Sequence, residues 1–341
     1  MRPHSGHGYG LALLCCQFLI DQSEMQIDQS EIKFIYFMIG RMMTRLDDHF
    51  DFMVLLYGQG GSGKSLLLKL LMRLFSPDQV GILSSGFQGQ FGLSEFASKQ
   101  FVACDDMPSN LAKTLDKGDW LKMMSRGAIS CPVKNKGSIE VHDWNIPTCI
   151  NSNMLPNYRD ESGEIVRRIM MINFKRTVPE ARKNLTLEDE IAQMELCTFM
   201  HRCRSTYLEY KTKYSSKGVE TFCPQIFLDN RLTLRKVINK TCSFIDSHFQ
   251  YKEGSRMTVP EINRLFKNWL MDQCGLDRRP ADNINLSSIA LIDHRYDYKL
   301  RVNICKHCAD LHKKDCCEKY SREETSKRDF VFNIERKLLE S

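Results

Sequence analysis

Phe52-Met53-Val54-Leu55-Leu56-Tyr57-Gly58-Gln59-Gly60-Gly61-Ser62-Gly63-Lys64-Ser65-Leu66-Leu67-Leu68-Lys69-Leu70-Leu71 reads as an apolar strand, a glycine-rich turn and a helix. Its middle matches the phosphate-loop pattern G-x-x-x-x-G-K-[ST], and both flanks have the structure that the pattern requires. Glycines let the backbone curl around an anion with its N–H groups turned inward, and the helix that follows adds its positive N-terminal end. Gly58, Gln59, Gly60, Gly61, Ser62, Gly63, Lys64 and Ser65 are therefore expected to hold the phosphates of ATP. Lys64 would reach the β- and γ-phosphates, and the Ser65 hydroxyl would ligate Mg²⁺.

The rest of the composition sets bounds. A chain of 341 residues with 42% hydrophobic content can bury a sizeable core and form more than one domain. The formal charge of +6 permits a polyanionic partner without requiring one. No window approaches the eighteen or so apolar residues of a membrane span, and Leu11 to Cys16 is too short for a signal-peptide core. An intracellular location, nucleus or cytoplasm, is expected, with most of the 14 cysteines as free thiols. Cys104, Cys149 and Cys203 read as packed rather than reactive.

Residues 1–30 have no clear period and suggest a leader. From Glu31 to Leu46 apolar residues recur at helical spacing, with Gly40 inside the pattern. After the loop, Val80 to Leu83, Phe101 to Cys104, Ile146 to Ile150 and Ile169 to Phe174 have the length and composition of buried parallel strands, with helical stretches at Leu93 to Ser98 and Trp120 to Ser125 between them. This alternation predicts an α/β fold, a three-layer core around a parallel sheet, over residues 31–180. Leu187 to Lys213, Leu234 to Phe249 and Val259 to Met271 then read as three amphipathic helices of a lid or winged-helix-like domain over residues 181–300.

Hydrolysis needs more than a phosphate loop. Asp105 and Asp106 close the strand that starts at Phe101, where one carboxylate can hold the metal side and the other the attacking water; a capping role explains either alone. At the tip of the next strand come Asn151-Ser152-Asn153, and Asn153 is the first choice for contact with the γ-phosphate and the water, although asparagine is also an ordinary turn former. Arg167 and Arg168 precede the last strand. They read either as surface ion-pair donors or as an arginine finger offered to a neighbouring subunit's ATP, which implies a homo-oligomer.

In this order of parts the chain resembles the superfamily 3 helicases, the AAA+ motors of viruses and plasmids, and most closely the helicase module of poxvirus-type and phage-type helicase-primases. Gly58 to Ser65 correspond to motif A, Phe101 to Asp106 to motif B and Ile146 to Pro156 to motif C. Trp120 to Gly127 followed by Pro132 to Ser138 look like the B′ element, a helix bearing Lys122 and a hairpin bearing Lys134 and Lys136 that grips single-stranded DNA in a central pore. The resemblance implies an ATP-dependent DNA helicase of viral or mobile-element replication, assembled as a hexameric ring, with any primase as a separate partner. An ATP-switched replication initiator with little unwinding activity is the alternative. Independently of the resemblance, Lys134 and Lys136 beside the turn signal Lys136-Gly137-Ser138 fall on one face of a hairpin, suited to phosphates as point charges; a solvated loop is the plain alternative.

Residues 301–341 hold the one cysteine cluster with metal-ligand spacing. Cys305, Cys308, His312 and one of Cys316 and Cys317 can complete a tetrahedral Zn²⁺ site of structural type, with His307 as a competing ligand and free thiols as the other reading.

Overall fold

The computed structural model describes residues 28–84, 92–107, 115–155, 160, 163–274, 283–284, 296–305 and 325–337. Two compact units share the chain, Met1–Tyr158 with Glu164–Leu234 and Arg159–Gly163 with Arg235–Ser341, a division that falls elsewhere than the boundaries expected near residues 180 and 300.

In the first unit, α1 (Gln29–Met42) leads to β1 (Met53–Gly58), α2 (Lys64–Met72) and β2 (Val80–Ile82). Next come α3 (Gly92–Phe96), β3 (Phe101–Asp105), α4 (Lys117–Ser125), the hairpin β4 (Ile129–Val133) and β5 (Gly137–Val141), β6 (Thr148–Ser152) and β7 (Ile169–Phe174). Five of these strands form one sheet in the order β2-β3-β6-β1-β7, every neighbouring pair parallel. Each apolar run expected to be a strand is one, because strands covered on both faces need apolar side chains at nearly every position. In such a sheet the loops after the strand C-termini gather at one edge, where ligands of open α/β folds are bound.

One face of that sheet is closed by α1, α2 and the helices α5 (Leu187–Met194) and α6 (Leu196–Lys213). Asp28 caps α1 by accepting from the Ser30 N–H at 2.9 Å. Gly40 in that helix is needed for packing: a Cβ there would stand 2.1 Å from the Cys203 carbonyl oxygen of α6. The helix stops at Met42 rather than running to Leu46, since Arg41 turns onto Asp48, at 2.9 Å, and onto the Phe52 carbonyl at 2.7 Å, which holds the chain folded back on itself.

The expected single helix over Leu187 to Lys213 is two, broken at Glu195 (φ −127°, ψ −22°). The halves have different partners. Glu188 and Asp189 of α5 meet Arg73 beyond the end of α2 at 2.8 and 2.7 Å, whereas Phe199, Cys203 and Tyr207 of α6 join the core around α1. The expected helix over Leu234 to Phe249 is likewise divided, into α7 (Gln225–Ile238) and α8 (Lys240–His248), because Asn239 takes the N-cap position and accepts from the Cys242 N–H at 3.1 Å.

In the second unit α8 precedes β8 (Phe249–Thr258), α9 (Val259–Cys274), β9 (Asp297–Cys305) and β10 (Thr325–Arg336). The strands form an antiparallel sheet in the order β8-β10-β9. Phe244, Ile262, Phe266, Val331 and Ile334 make its core. This sheet takes strands from both of the regions expected to be separate, residues 181–300 and 301–341. Among the described residues no helix is long and apolar enough to cross a membrane.

Candidate nucleotide site

Three strand ends supply the site. The loop after β1 enters α2 through Gly63, whose φ of +94° puts it in the left-handed region that glycine adopts without strain. It thereby lines a pocket of about 330 Å³ with Gly60, Gly61, Ser62, Lys64 and Ser65; Asp105 ends β3 and Asp106 follows it, while Asn151 comes from β6 and Asn153 from just beyond it. The register places Asp105 beside Asn151 and Asn151 beside Leu56, so carboxylate and amide stand level with the last turns of β1.

Lys64 is only 5% exposed. Its ammonium donates to the Gln59 carbonyl at 2.7 Å, to Asn153 Oδ1 at 2.8 Å and, more weakly, to Ser62 Oγ at 3.3 Å. All three partners are neutral, and among the described residues no carboxylate comes within ion-pair reach. Burial holds the lysine below its ordinary pKa, an effect opposed at longer range by Asp105 and Asp106. A desolvated cation without an anion in contact is a strong attractor for one.

Ser65 Oγ donates to Asp105 Oδ1 at 3.0 Å. Asn151 Nδ2 donates to Ser65 Oγ at 2.8 Å and also to Asp105 Oδ1. A serine hydroxyl and a carboxylate are hard oxygen donors of the kind that Mg²⁺ takes, so the residues present fit that ion. Asp106 is exposed, with a φ of 67° that swings it out of line with β3.

Arg167 and Arg168 are not in the pocket. They form the short turn before β7, whose first residue Ile169 pairs with Met53 at the start of β1, while the phosphate loop follows its end. Five strand steps separate the two, roughly 17 Å at about 3.3 Å per residue. Arg168 donates to the Glu164 carbonyl at 2.9 Å and bears electrostatically on Asp51, whose carboxyl burial pushes up; Arg167 is exposed.

Lys134 and Lys136 are exposed at the tip of the β4–β5 hairpin, and neither forms an ion pair with a described residue. They belong to the turn and not to the strands, so strand alternation does not set their faces. Lys136 N–H bonds the Val133 carbonyl at 3.1 Å and Asn135 has a φ of 62°, a type II arrangement. Lys122 lies on α4 and pairs with Asp119 at 3.4 Å. Arg126 closes that helix in the left-handed conformation usual for glycine, held by Asp143 at 2.7 Å.

Cys104, Cys149 and Cys203 are buried, and burial pushes the Cys104 thiol up to about 12, so they pack as expected. Cys308, His312, Cys316, Cys317 and His307 lie outside the described residues. Cys305 ends β9. Among the described residues no group of three or more His, Cys, Asp and Glu side chains is placed to hold a metal ion.

Residues 56–168 match a family of unknown function (DUF5906), a span that runs from the end of β1 to the start of β7. No curated protein matches the sequence. Among solved structures, two apo structures of the NrS-1 C-terminal region align over 94% of this chain and 75% of theirs, with 15% and 14% identity and TM-scores of 0.48 and 0.45.

Proposed function

We propose that the protein is a P-loop ATP hydrolase that works as a DNA helicase, turning over ATP between subunits of a ring to move along single-stranded DNA. The observation that carries the reading is the convergence of Lys64, Ser65, Asp105, Asp106 and Asn153 on one pocket, from three strands distant in sequence. Lys64, whose contacts are all neutral, has its charge available for the β- and γ-phosphates. Ser65 and Asp105 would hold Mg²⁺, which when bound offsets phosphate charge. Asp106, exposed beside the pocket, would orient and deprotonate the attacking water. Asn153 bonds Lys64 directly, and a γ-phosphate arriving there would compete for that bond, so the amide can report what is bound.

The position of Arg167 favours an oligomer. It lies at the opposite end of β1 from its own chain's phosphate loop, so a part for it in ATP hydrolysis would be played at the site of another copy. Lys134 and Lys136, carried beyond the core on a two-stranded arm, suit a sequence-independent grip on phosphates, and the grip of several arms in a ring would multiply. The deciding experiment is the ATPase rate with and without single-stranded DNA, beside mass determination in ATP. DNA-stimulated turnover by a multimer is expected. Tight ATP binding with a rate indifferent to DNA would favour the ATP-switched initiator.

A further inference from the structure

Two residues before Asn153, which lies beyond the end of β6, Asn151 is still within the strand. It is 4% exposed and, by register, stands beside Asp105. An asparagine that merely shapes a turn bonds backbone close by in sequence. Asn151 instead spends both N–H donors on side chains 86 and 46 residues away, Ser65 and Asp105. Its Oδ1 is buried and has no partner among the described residues. Reversing the amide would set that acceptor against the Asp105 carboxylate, so the donor end decides the orientation.

The hydroxyl of Ser65 has one hydrogen and two lone pairs. The hydrogen goes to Asp105 and one lone pair takes the Asn151 N–H, at 3.0 and 2.8 Å. One lone pair is left. Asp105 likewise has Oδ1 occupied by Ser65 and Asn151 while Oδ2 makes no bond to a described residue. We infer that Asn151 is a positioning residue of the divalent-cation site: its amide fixes the Ser65 hydroxyl and the Asp105 carboxylate in the one arrangement that offers a cation an oxygen from each. This rests on the ATPase reading above and adds to it a residue that touches neither phosphate nor water. Such outer partners of a metal site set the affinity for the ion.

The test measures binding of a fluorescent ATP analogue in EDTA and across a Mg²⁺ titration, together with Mn²⁺ binding followed by electron paramagnetic resonance, on the wild-type chain, Asn151→Leu, Asn151→Ala and Ser65→Ala. Both Asn151 variants should keep the EDTA affinity, which Lys64 and the loop supply. They should need about tenfold or more extra Mg²⁺ for half-maximal tightening and bind Mn²⁺ correspondingly more weakly. Because Asn151 acts in part through Ser65 and in part through Asp105, adding Asn151→Ala to Ser65→Ala should cost less than it does alone. Leucine nearly matches asparagine in shape, and alanine gives a second variant should leucine disturb folding. An unchanged Mg²⁺ midpoint in both, with the wild type clearly Mg²⁺-dependent, overturns the assignment while sparing the ATPase. A wild-type chain that binds no nucleotide at all overturns the ATPase reading itself.

Discussion

Arg41 and Lys64 are both cations shut away from solvent, at 3% and 5% exposure, yet their surroundings are opposite. Arg41 has a carboxylate in contact: Asp48 at 2.9 Å, with the backbone carbonyls of Phe50 and Phe52 also accepting from its terminal nitrogens. Asp48 in turn accepts from the Phe50 N–H at 2.9 Å and from the Tyr207 hydroxyl at 2.8 Å, and burial, reinforced by the carboxylates of Asp48 and Asp47, pushes the tyrosine far above its ordinary pKa. Charge and hydrogen bonds balance within the protein. Around Lys64 the partners are neutral and the nearest acids, Asp105 and Asp106, face solvent. A closed network holds a fold, and an open one invites a ligand. The difference lies in what the cation touches and not in how deeply it is buried.

That contrast can be broken by mutation. Away from the pocket, the largest effect is expected at the proposed finger: Arg167→Ala should slow hydrolysis by roughly 10³-fold or more while leaving ATP bound. Mixed with Lys64→Ala subunits, the variant should recover activity at interfaces carrying one intact half from each. No recovery at any mixing ratio, with mixed rings demonstrated, would remove the action in trans.

Next comes the closed network. Arg41→Ala leaves Asp48 buried and unpaired, and should lower stability by about 3–5 kcal/mol in a denaturant titration. Lys64→Ala should leave the midpoint near that of the wild type. Equal destabilisation by the two would erase the distinction between them.

A smaller loss is expected of Gly40→Ala. The added methyl must push α1 away from the α6 backbone, and overpacking of this kind costs about 1–3 kcal/mol. A neutral result would mean that the helices part easily.

The mildest effect is at the exposed arm. Changing Lys134 and Lys136 to Ala should weaken single-stranded DNA binding on every sequence alike. The log–log salt slope should fall by about 1.4, near 0.7 for each phosphate that is no longer neutralised, with basal ATPase intact. An unchanged slope would return the hairpin tip to a solvated turn.

How much of this could be read in the sequence follows from burial. Val54 to Leu56, Phe101 to Cys104 and Ile169 to Ile172 are covered on both faces and therefore spell themselves out as unbroken apolar runs. The second unit's sheet does not. In β8, Phe249-Gln250-Tyr251-Lys252-Glu253-Gly254-Ser255-Arg256-Met257-Thr258, one face is largely exposed, so apolar residues are few. In β10 the left-handed Asn333 (φ 59°) shifts the alternation between Val331 and Ile334, both of which reach the core. Helix breaks at Glu195 and Asn239 are hidden because the apolar period runs on across them, and only the change of packing partner marks the end. In the pocket, Lys64, Ser65 and Asp105 are legible from spacing. Asn151 is not, since an asparagine at a strand tip reads first as a turn former; its place directly after the apolar run Ile146 to Ile150 is the available signal.

The most direct test of the central claim is single-turnover hydrolysis of ATP with Mg²⁺ by the wild-type chain, Lys64→Ala and Asp106→Asn, each with nucleotide binding measured in parallel. The wild type should hydrolyse, Lys64→Ala should fall to background, and Asp106→Asn should bind ATP without cleaving it. Wild-type turnover in Lys64→Ala would contradict the assignment of this pocket as the site of ATP hydrolysis.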